Sequence, residues 1–462
     1  MHRFLRPLSY LALASLLVTT GQGCLGGGTT TTAEELTLTI WGVFDDANAY
    51  EPLIDAYETL HPNVSIDYRE LRYDEYRDEL VRAFAEGKGP DIFSVHNTWM
   101  GEYQGLMQPM PSQITVSELQ TQGTVKRETV NVAVQKPTMT ARELEATFVE
   151  QIAFDVVRDY QADDNSDVES RIFGLPLSVD SLALFYNKDL LDAAGIATPP
   201  TTWTEFQNDV IALTTYNAEG EVDQSGAALG TAENVERAGD ILSILMMQNG
   251  TAMTDDRGRV TFNLVPDDAG EDVYPGLDAV RFYTDFANPT KEVYTWNDSY
   301  SNSFDAFTSG QTAMMLGYSY YIPLVRTAAP KLNFSISKLP QIDGGQEVNF
   351  ANYWIETVAK NTEHSDWAWD FILFAADEDQ VTNYLEAANK PTALRSLIGN
   401  DLDDPELGVF AEQTLTAKSW YLGNDIEVAE QALRDLITQM LDGSVEGDEA
   451  IDDAAQKVSQ TY

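Results

Sequence analysis

The segment from Gly174 to Phe206 constrains the fold of this 462-residue chain more than any other stretch. Its apolar run from Leu182 to Tyr186 is typical of a buried strand, and polar residues follow it. A short helix is predicted from Asp189 to Ala194, with Gly195 as the left-handed residue that commonly ends a helix. The segment therefore predicts a strand that leads directly into a helix.

A second helix is predicted after this one. Pro199-Pro200 breaks the chain, and either Thr202 or Thr204 can cap the helix that follows. Glu205 falls in the first turn of that helix, where an acidic side chain is favoured by the helix dipole. Trp203, in the same turn, is predicted to be a packing residue.

The rest of the chain also shows strand and helix patterns. Residues 36–111 alternate between the two and predict a parallel α/β arrangement. We further predict a β-hairpin over 113–137, one long amphipathic helix over Ala141–Tyr160, a helix over Asn234–Gly250 and a strand over Val260–Asn263. Because 462 residues with 43% hydrophobic content exceed one compact domain, we expect two lobes.

The segment from Gly174 to Phe206 also resembles a known family. Its order of strand, Tyr-Asn-Lys, short helix, Gly and Pro-Pro-x-Thr-Trp-x-Glu-Phe is similar to the extracellular solute-binding proteins of ABC importers, in the sugar-binding group (family 1) that includes maltose-binding protein. Further patches resemble the family in the right order, so the similarity covers most of the chain. These patches are Leu36–Trp41 with Tyr50–Tyr57, Ala83–Phe93, Phe304–Tyr318, and Asn352–Lys360 with Trp367–Ala376.

This resemblance implies an α/β, two-lobed periplasmic-binding-protein-like fold of type II. In that fold, discontinuous lobes are joined by a hinge of two or three strands, and the ligand cleft lies between them. The implied N-terminal lobe comprises residues 36–112 and 341–388, and the C-terminal lobe comprises 113–340 and 389–462. Residues 105–171 form a segment longer than the family leads us to expect.

The resemblance also implies which residues line the cleft. Aromatic rings stack on the apolar faces of sugars, while carboxylates and amides bind the hydroxyl groups. Tyr318 and Tyr320 point to the same side if the preceding strand continues, with packing between helices as the alternative. The full predicted set is Trp41, Asp45, Asn97, Trp99, Asp180, Tyr318, Tyr320, Trp354 and Trp420. Tyr186, by contrast, is expected to be structural.

The N-terminus is predicted to be a targeting segment. A basic start precedes an apolar stretch from Leu8 to Val18, and small residues lead to Cys24, the single cysteine of the chain. We predict a signal peptide at residues 1–23 and a lipidated Cys24 that anchors the protein to the outer face of the cell membrane. Residues 24–35 then form a flexible tether. The alternative is an ordinary secretory signal in which Cys24 is incidental.

Acidic residues dominate the composition. The 74 Asp and Glu residues against 28 Lys and Arg give a net charge of −46. Such a chain presents no basic face to phosphate groups, which excludes nucleic acid as a partner. The acidity is compatible with adaptation to salt and equally with a solubility bias. We expect a monomer.

The sequence indicates no catalytic or metal chemistry. It contains no G-x-S-x-G motif and no P-loop, and its histidines show no metal-ligand spacing. Asp163, Asn165 and Asp167 have the spacing of a calcium loop, but Val168 stands where that loop needs glycine, which favours a solvated acidic turn. We therefore predict no enzyme activity, no cofactor and no metal site.

The expected function is capture of a sugar or oligosaccharide outside the cell and its delivery to the permease of an ABC transporter. A polyamine, polyol or peptide ligand remains an alternative, because binding proteins for different solutes share this fold and the residues of the cleft determine the ligand. An extracellular glycan-processing enzyme and an adhesin are the alternatives from other classes. Turnover would distinguish the enzyme, and absence of a ligand response would distinguish the adhesin.

Overall fold

The computed structural model describes residues 35–45, 47–122, 128–163, 165–255, 257–266 and 273–462. The predicted signal peptide and the predicted lipidation site Cys24 lie outside the described residues, as does all but the last residue of the predicted tether. Within the described residues, no helix is both long enough and apolar enough to cross a membrane.

The strands are distributed along the whole described chain. In chain order they are β1 (Leu36–Val43), β2 (Val64–Leu71), β3 (Ile92–His96), β4 (Met107–Gln108), β5 (Gln113–Gln122), β6 (Glu128–Pro137), β7 (Val157–Tyr160), β8 (Glu169–Ile172), β9 (Asp180–Ser181), β10 (Ala183–Asn187), β11 (Thr215–Tyr216), β12 (Val222–Ala227), β13 (Thr312–Gly317), β14 (Phe334–Ser337), β15 (Asn349–Asn352), β16 (Trp354–Ala359) and β17 (Ala417–Lys418).

The α-helices alternate with these strands and continue to the end of the chain. They are α1 (Ala47–Leu60), α2 (Tyr73–Ala85), α3 (Met100–Tyr103), α4 (Ala141–Thr147), α5 (Glu150–Val156), α6 (Lys188–Ala193), α7 (Trp203–Leu213), α8 (Ala238–Gln248), α9 (Pro275–Asp285), α10 (Ser303–Thr308), α11 (Tyr321–Ala328), α12 (Ser365–Ala375), α13 (Glu378–Ala388), α14 (Ile398–Asp401), α15 (Leu407–Gln413), α16 (Ile426–Asp442) and α17 (Gly447–Ser459).

Two five-stranded sheets organise the chain. The first has the order β2-β1-β3-β16-β4, with β1 parallel to β2 and β3 and with β16 antiparallel to β3. The second has the order β11-β12-β13-β10-β14, with β12 parallel to β13 and with β10 antiparallel to β13 and β14. The predicted parallel α/β arrangement at the start of the chain is therefore present in the first sheet, which also takes in β16 from much later in the sequence.

The segment from Gly174 to Phe206 folds as predicted. The strand is β10 and the helix after it is α6, followed by Gly195 with a left-handed φ of 76°. Thr202 and Glu205 form a reciprocal capping box at the start of α7. Trp203 is buried, and its indole N–H donates a hydrogen bond to Gln248 at 2.6 Å. Local sequence signals are decisive here because the caps and turns agree with the packing.

Two main hydrophobic cores define the lobes. Residues 36–179 and 351–398 contribute to the first core, which we call the first lobe, and residues 182–350 and 407–462 contribute to the second lobe. The structure therefore places 113–179 in the first lobe, whereas the sequence-based boundary assigned them to the other one. The physical reason is that Ile114, Leu144 and Phe173 bury their side chains in the first core.

Three short strands carry the chain between the lobes. β15 pairs with β17 in parallel and with β9 in antiparallel fashion, to give a sheet of order β17-β15-β9. Each of these strands lies where the chain passes from one lobe to the other, or beside such a passage. We call this small sheet the connecting sheet.

Two local predictions need correction. The single helix predicted over 141–160 is divided into α4 and α5, because Phe148 and Val149 adopt extended backbone and bond to Leu394 and Ala393 of a distant segment. Its last four residues form β7, which pairs with β8. Residues 261–263 form a turn rather than the predicted strand, and only Val260 makes an isolated bridge. In the first case a contact with a distant segment overrides the local pattern, and in the second a tight turn ends the strand after one bridge.

Candidate functional site

The candidate site begins at the edge of the first sheet where β1 and β3 end. Residues that follow the carboxyl ends of parallel strands point into the crevice of an open α/β sheet. Trp354, the first residue of β16, pairs in register with His96, the last residue of β3. Because β16 runs antiparallel to β3, its first residue, Trp354, lies at this edge.

Four rings gather at this edge, and we call them the aromatic cluster: Phe44, Tyr73, Trp99 and Trp354. The rings of Trp99 and Trp354 meet edge to face with centroids 5.2 Å apart. Tyr73 stacks on Trp99 at 6.0 Å and on Phe44 at 5.5 Å. Phe44 and Tyr73 are 63% and 52% exposed, whereas Trp99 is only 3% exposed. The cluster thus has a buried base and two rings open to solvent.

An arginine packs on the buried ring of Trp99. The guanidinium carbon of Arg77 lies 5.0 Å from the centroid of the Trp99 ring, a cation–π arrangement. Arg77 pairs with Glu102 of the first lobe at 2.7 Å and with Glu427 of the second lobe. This bridge fixes the base of the aromatic cluster and also joins the two lobes.

The second lobe contributes a set of charges that we call the charged cluster: Arg237, Asp240 and Glu430. Arg237 pairs with Asp240 at 2.7 Å and lies 3.9 Å from Glu430. Its guanidinium lies over the ring of Tyr318, 5.9 Å from the centroid. The Tyr318 hydroxyl donates a 2.5 Å hydrogen bond to Asp240. One cation is therefore held between two carboxylates and an aromatic face.

The strand on which Tyr318 and Tyr320 would point to the same side does not continue to them. β13 ends at Gly317, and Tyr320 is the residue before α11. The two rings still stack, with centroids 5.9 Å apart, because the turn brings them together. Tyr318 is fully buried and Tyr320 is 45% exposed. Of this pair, Tyr320 therefore presents a ring to solvent, and Tyr318 supports Arg237 and Asp240 from below.

The electrostatics show that the two clusters lie within reach of each other. Burial raises the pKa of Tyr73, Glu430 raises it further, and Arg237 lowers it. Burial and then Arg237 lower the pKa of His96 to about 4. Rings of the first lobe therefore experience charges of the second lobe. The space between the clusters is flanked by apolar faces on one side and by charges on the other.

Asp180 lies in the connecting sheet, beside both lobes. Its carboxylate accepts hydrogen bonds from the backbone N–H and the hydroxyl of Ser319 at 2.9 and 2.7 Å, and from the N–H of Ser181 at 2.8 Å. Burial raises the pKa of Asp180 to about 7, although these hydrogen bonds oppose the rise. Asp180 thus ties the turn after β13 to the strand that connects the lobes.

Three further predicted residues are buried or half-buried, and two of them have structural partners that occupy their side chains. The carboxylate of Asp45 is buried and pairs with Lys390 and with the Tyr384 hydroxyl, the latter at 2.7 Å. Trp41 is half-buried within β1 and lies under Arg69, whose guanidinium carbon is 4.9 Å from its centroid. Asn97 is buried beside Asp155. The structure does not bring these three side chains into the space between the clusters.

Trp420 lies closer to that space, although it is buried. Its indole N–H donates to the Ser243 hydroxyl at 3.1 Å. Together with Thr98 of the first lobe and Asp240 and Glu430 of the charged cluster, it lines a small cavity between the lobes. The ring itself packs in the second core, and the role of Trp420 as a ligand contact stays a prediction.

Sequence reasoning missed several residues of the site, and two of them left a usable signal. Phe44 is an aromatic residue directly after a buried strand, in the position expected at a crevice. Arg237 stands immediately before α8, where a positive charge is disfavoured by the helix dipole. A residue that breaks a local rule in a chain with so few cations is a candidate for function. Tyr73, Asp240 and Glu430 left no comparable signal.

The described residues offer no arrangement for metal chemistry. No group of three or more His, Cys, Asp or Glu side chains among them is placed to hold a metal ion. In the predicted acidic turn, Asp163 instead accepts a hydrogen bond from the backbone N–H of Asn165 at 2.8 Å. The site described here rests on rings, hydroxyls and fixed charges.

Comparison of the sequence and of the fold with known proteins leads to the same kind of protein. A family model described as bacterial extracellular solute-binding protein matches residues 52–404. A galactooligosaccharide-binding protein of Bacillus subtilis is 20% identical over 370 residues, which cover 78% of this chain and 73% of that protein. A putative binding protein of Brucella abortus is 19% identical over 338 residues, which cover 71% and 69%.

Solved structures share the architecture. The GacH receptor of Streptomyces glaucescens superposes with a TM-score of 0.67 at 19% identity, covering 93% of this chain and all of that one. A cyclo/maltodextrin-binding protein in complex with maltotetraose gives a TM-score of 0.69 at 16% identity, covering 93% and 98%. The two sheets and the connecting sheet therefore form the two-lobed α/β fold of these proteins.

Proposed function

Because the chain belongs to the bacterial extracellular solute-binding proteins, we propose that it captures a sugar or oligosaccharide outside the cell and delivers it to the permease of an ABC transporter. The observation that carries the proposal is the aromatic cluster of the first lobe facing the charged cluster of the second lobe. The proposal extends the family assignment to a ligand class and to a site.

The chemistry of the two clusters suits a saccharide. The axial C–H groups of a pyranose ring form an apolar face, which the open rings of Phe44, Tyr73 and Tyr320 can cover. Its hydroxyl groups donate to carboxylates and accept from guanidinium, the groups that Asp240, Glu430 and Arg237 present. A ligand between the clusters would thus meet rings on one side and hydrogen-bonding groups on the other.

The names of several relatives support the same ligand class. They include the galactooligosaccharide-binding protein and the maltotetraose complex described above, and a structure with mannotriose bound. These relatives are binding proteins, which supports a protein without enzyme activity. We assign this chain to the same broad class, with its own ligand defined by Phe44, Tyr73, Trp99, Trp354, Asp180, Arg237, Glu430 and Tyr320.

Lobe closure is the proposed mechanism. Three short strands connect the lobes, so a small backbone change in the connecting sheet moves one cluster toward the other. A saccharide bound to both clusters stabilises the closed arrangement by its differential affinity, and the permease recognises that arrangement. The protein acts as a monomer in this scheme.

A thermal-shift screen followed by calorimetry tests the ligand class. The panel contains maltotetraose, galactotriose, mannotriose, spermidine, mannitol and a tripeptide. We expect at least one saccharide to raise the melting temperature and to change tryptophan fluorescence, because binding stabilises the folded state and alters the environment of Trp354. A shift with spermidine or the tripeptide and none with the saccharides would overturn the ligand class.

The proposed location is the outer face of the cell membrane, with Cys24 as the lipid-bearing residue. The support is the sequence pattern around Cys24, since this residue lies outside the described part of the chain. Fatty-acid labelling of the wild type and Cys24→Ser in a bacterial host tests it. Label on the wild type alone supports the anchor, and equal labelling of both contradicts it.

A further inference from the structure

We propose that Phe44 positions the saccharide from a strained backbone conformation that Asp45 holds in place. This inference rests on the proposed function and names a residue of that same site. It also gives Asp45 a role that differs from the ligand contact predicted from the sequence.

The backbone of Phe44 is left-handed, with a φ of 67°. That region is crowded for residues with a Cβ atom, and a bulky side chain there is an outlier. Arg237 and Asn389 are the other described non-glycine residues with positive φ, at 61° and 52°. Asparagine tolerates the region. The strain is therefore concentrated in Phe44 and Arg237, one on each side of the candidate site.

Packing does not account for the strain at Phe44. The side chain is 63% exposed, so burying the rest of it contributes little hydrophobic free energy. Its ring contacts are within the aromatic cluster, stacked on Tyr73 at 5.5 Å and edge to face with Trp354 at 5.9 Å. A phenylalanine at this position extends the open apolar surface outward. Backbone strain that yields an exposed ring beside a crevice is typical of a ligand site.

Asp45 supplies the restraint that prevents the strain from relaxing. Its buried carboxylate accepts hydrogen bonds from Lys390 and from the Tyr384 hydroxyl at 2.7 Å. Its backbone carbonyl accepts a bond from the Tyr68 hydroxyl at 2.6 Å. These bonds fix both the side chain and the main chain of the residue next to Phe44. Asp45 is therefore a positioning residue that acts through Phe44.

The test separates the ring from the strain by using three substitutions. Phe44→Gly removes both, Phe44→Ala removes the ring and keeps the strain, and Phe44→Tyr keeps both. Melting temperatures are measured without ligand, and affinities by calorimetry with maltotetraose, galactotriose and mannotriose. Tyr274→Ala, an exposed aromatic of the second lobe outside both clusters, is the matched control.

We expect Phe44→Gly to melt roughly 1 to 3 °C above Phe44→Ala, because glycine adopts positive φ without strain. Both variants should bind the recognised saccharide roughly 5- to 30-fold more weakly, as for loss of a central ring. Phe44→Tyr and Tyr274→Ala should keep the wild-type affinity. Asp45→Asn should weaken binding in the wild type and add nothing in the Phe44→Gly background.

Each part of the inference has its own contrary result. A Gly variant that melts no higher than the Ala variant overturns the strain, and unchanged affinity in both overturns the role of the ring. An additive effect of Asp45→Asn in the Gly background shows that Asp45 contacts the saccharide itself. A wild type that binds none of the three saccharides overturns the proposed function and the ligand role of Phe44, while the melting difference still decides the strain.

Discussion

The two lobes arrange rings and charges in opposite ways at the candidate site. The first lobe exposes the rings of Phe44 and Tyr73 and buries a carboxylate, Glu356, in its core. The second lobe leaves Arg237 and Glu430 partly exposed and buries the ring of Tyr318 beneath them. Under the proposed function, the groups that each lobe exposes, rather than all the groups that it contains, determine its part in ligand binding.

The difference follows from how each edge is built. In the first lobe, Glu356 accepts hydrogen bonds from the hydroxyls of Tyr50 and Ser94 at 2.7 and 2.9 Å, so its carboxyl group has its partners inside the lobe. In the second lobe, Arg237 precedes α8 and pairs with Asp240, but its side chain stays 29% exposed. The first lobe thus exposes apolar rings, and the second lobe exposes charged groups that can form directional hydrogen bonds.

The largest expected effect comes from a ring that belongs to neither open surface. Trp203→Ala should lower the free energy of unfolding by about 3 to 5 kcal/mol, because it empties a large space in the second core. Saccharide affinity should not change. Chemical denaturation and calorimetry measure the two quantities, and a loss of affinity with intact stability would contradict the assignment of Trp203 to packing.

The buried carboxylate of the first lobe should make stability depend on pH. Burial raises the pKa of Glu356 from 4.5 to about 7, despite hydrogen bonds from Tyr50 and Ser94. The folded protein thus holds a proton that the unfolded chain releases, so stability should fall as pH rises between these values, by up to about 1.4 kcal/mol per pH unit.

Glu356→Gln should flatten this part of the stability profile. Denaturation midpoints of the wild type and the variant across pH 4.5 to 7 provide the measurement. Asp180, with a pKa raised to about 7, contributes in the same direction, so Asp180→Asn is the companion variant from the connecting sheet. Identical slopes in wild type and Glu356→Gln would show that Glu356 is ionised in the folded state.

A ring of the aromatic cluster should affect binding more than folding. Trp354→Ala should weaken saccharide binding by about 1 to 3 kcal/mol, because the indole is half-buried at the centre of the cluster. Its effect on the free energy of unfolding should be smaller than that of Trp203→Ala. If calorimetry and denaturation showed that Trp354→Ala costs more stability than Trp203→Ala and leaves binding unchanged, the prediction would be contradicted.

The smallest effect tests whether the two clusters really share one space. Arg237 lowers the pKa of His96, so Arg237→Gln should raise that pKa from its value of about 4. An NMR titration of the imidazole protons measures the change. Arg434→Gln, on the same lobe, is the control and should leave His96 unchanged. An unaltered His96 titration in Arg237→Gln would show that the two clusters do not share one space.

Much of the fold was predictable because its signals are local. The strand, capping box and left-handed Gly195 between residues 182 and 206 depend on neighbours a few positions apart, and the five resembling patches fixed the family. The lobe boundary at 113 was wrong because Ile114 and Leu144 find their partners across the first core. No local pattern records which of two cores a segment joins.

The candidate site was less predictable for the same physical reason. Trp99, Trp354 and Tyr320 follow or begin strands, so their place at an edge was visible in the sequence. The roles of Asp45 and Tyr318 depend on partners from distant segments, Lys390 and Asp240. The exposure of Tyr73 likewise depends on the packing of the whole lobe.

The strand order of the first sheet has a consequence for how the chain is made. β16 lies between β3 and β4 in the first sheet, and residues up to 398 complete the first core. The first lobe therefore cannot close while the ribosome is still making the second, and every early folding attempt leaves the edge of β3 unpaired. The first lobe is thus complete only after the segment that forms most of the second lobe has been synthesised.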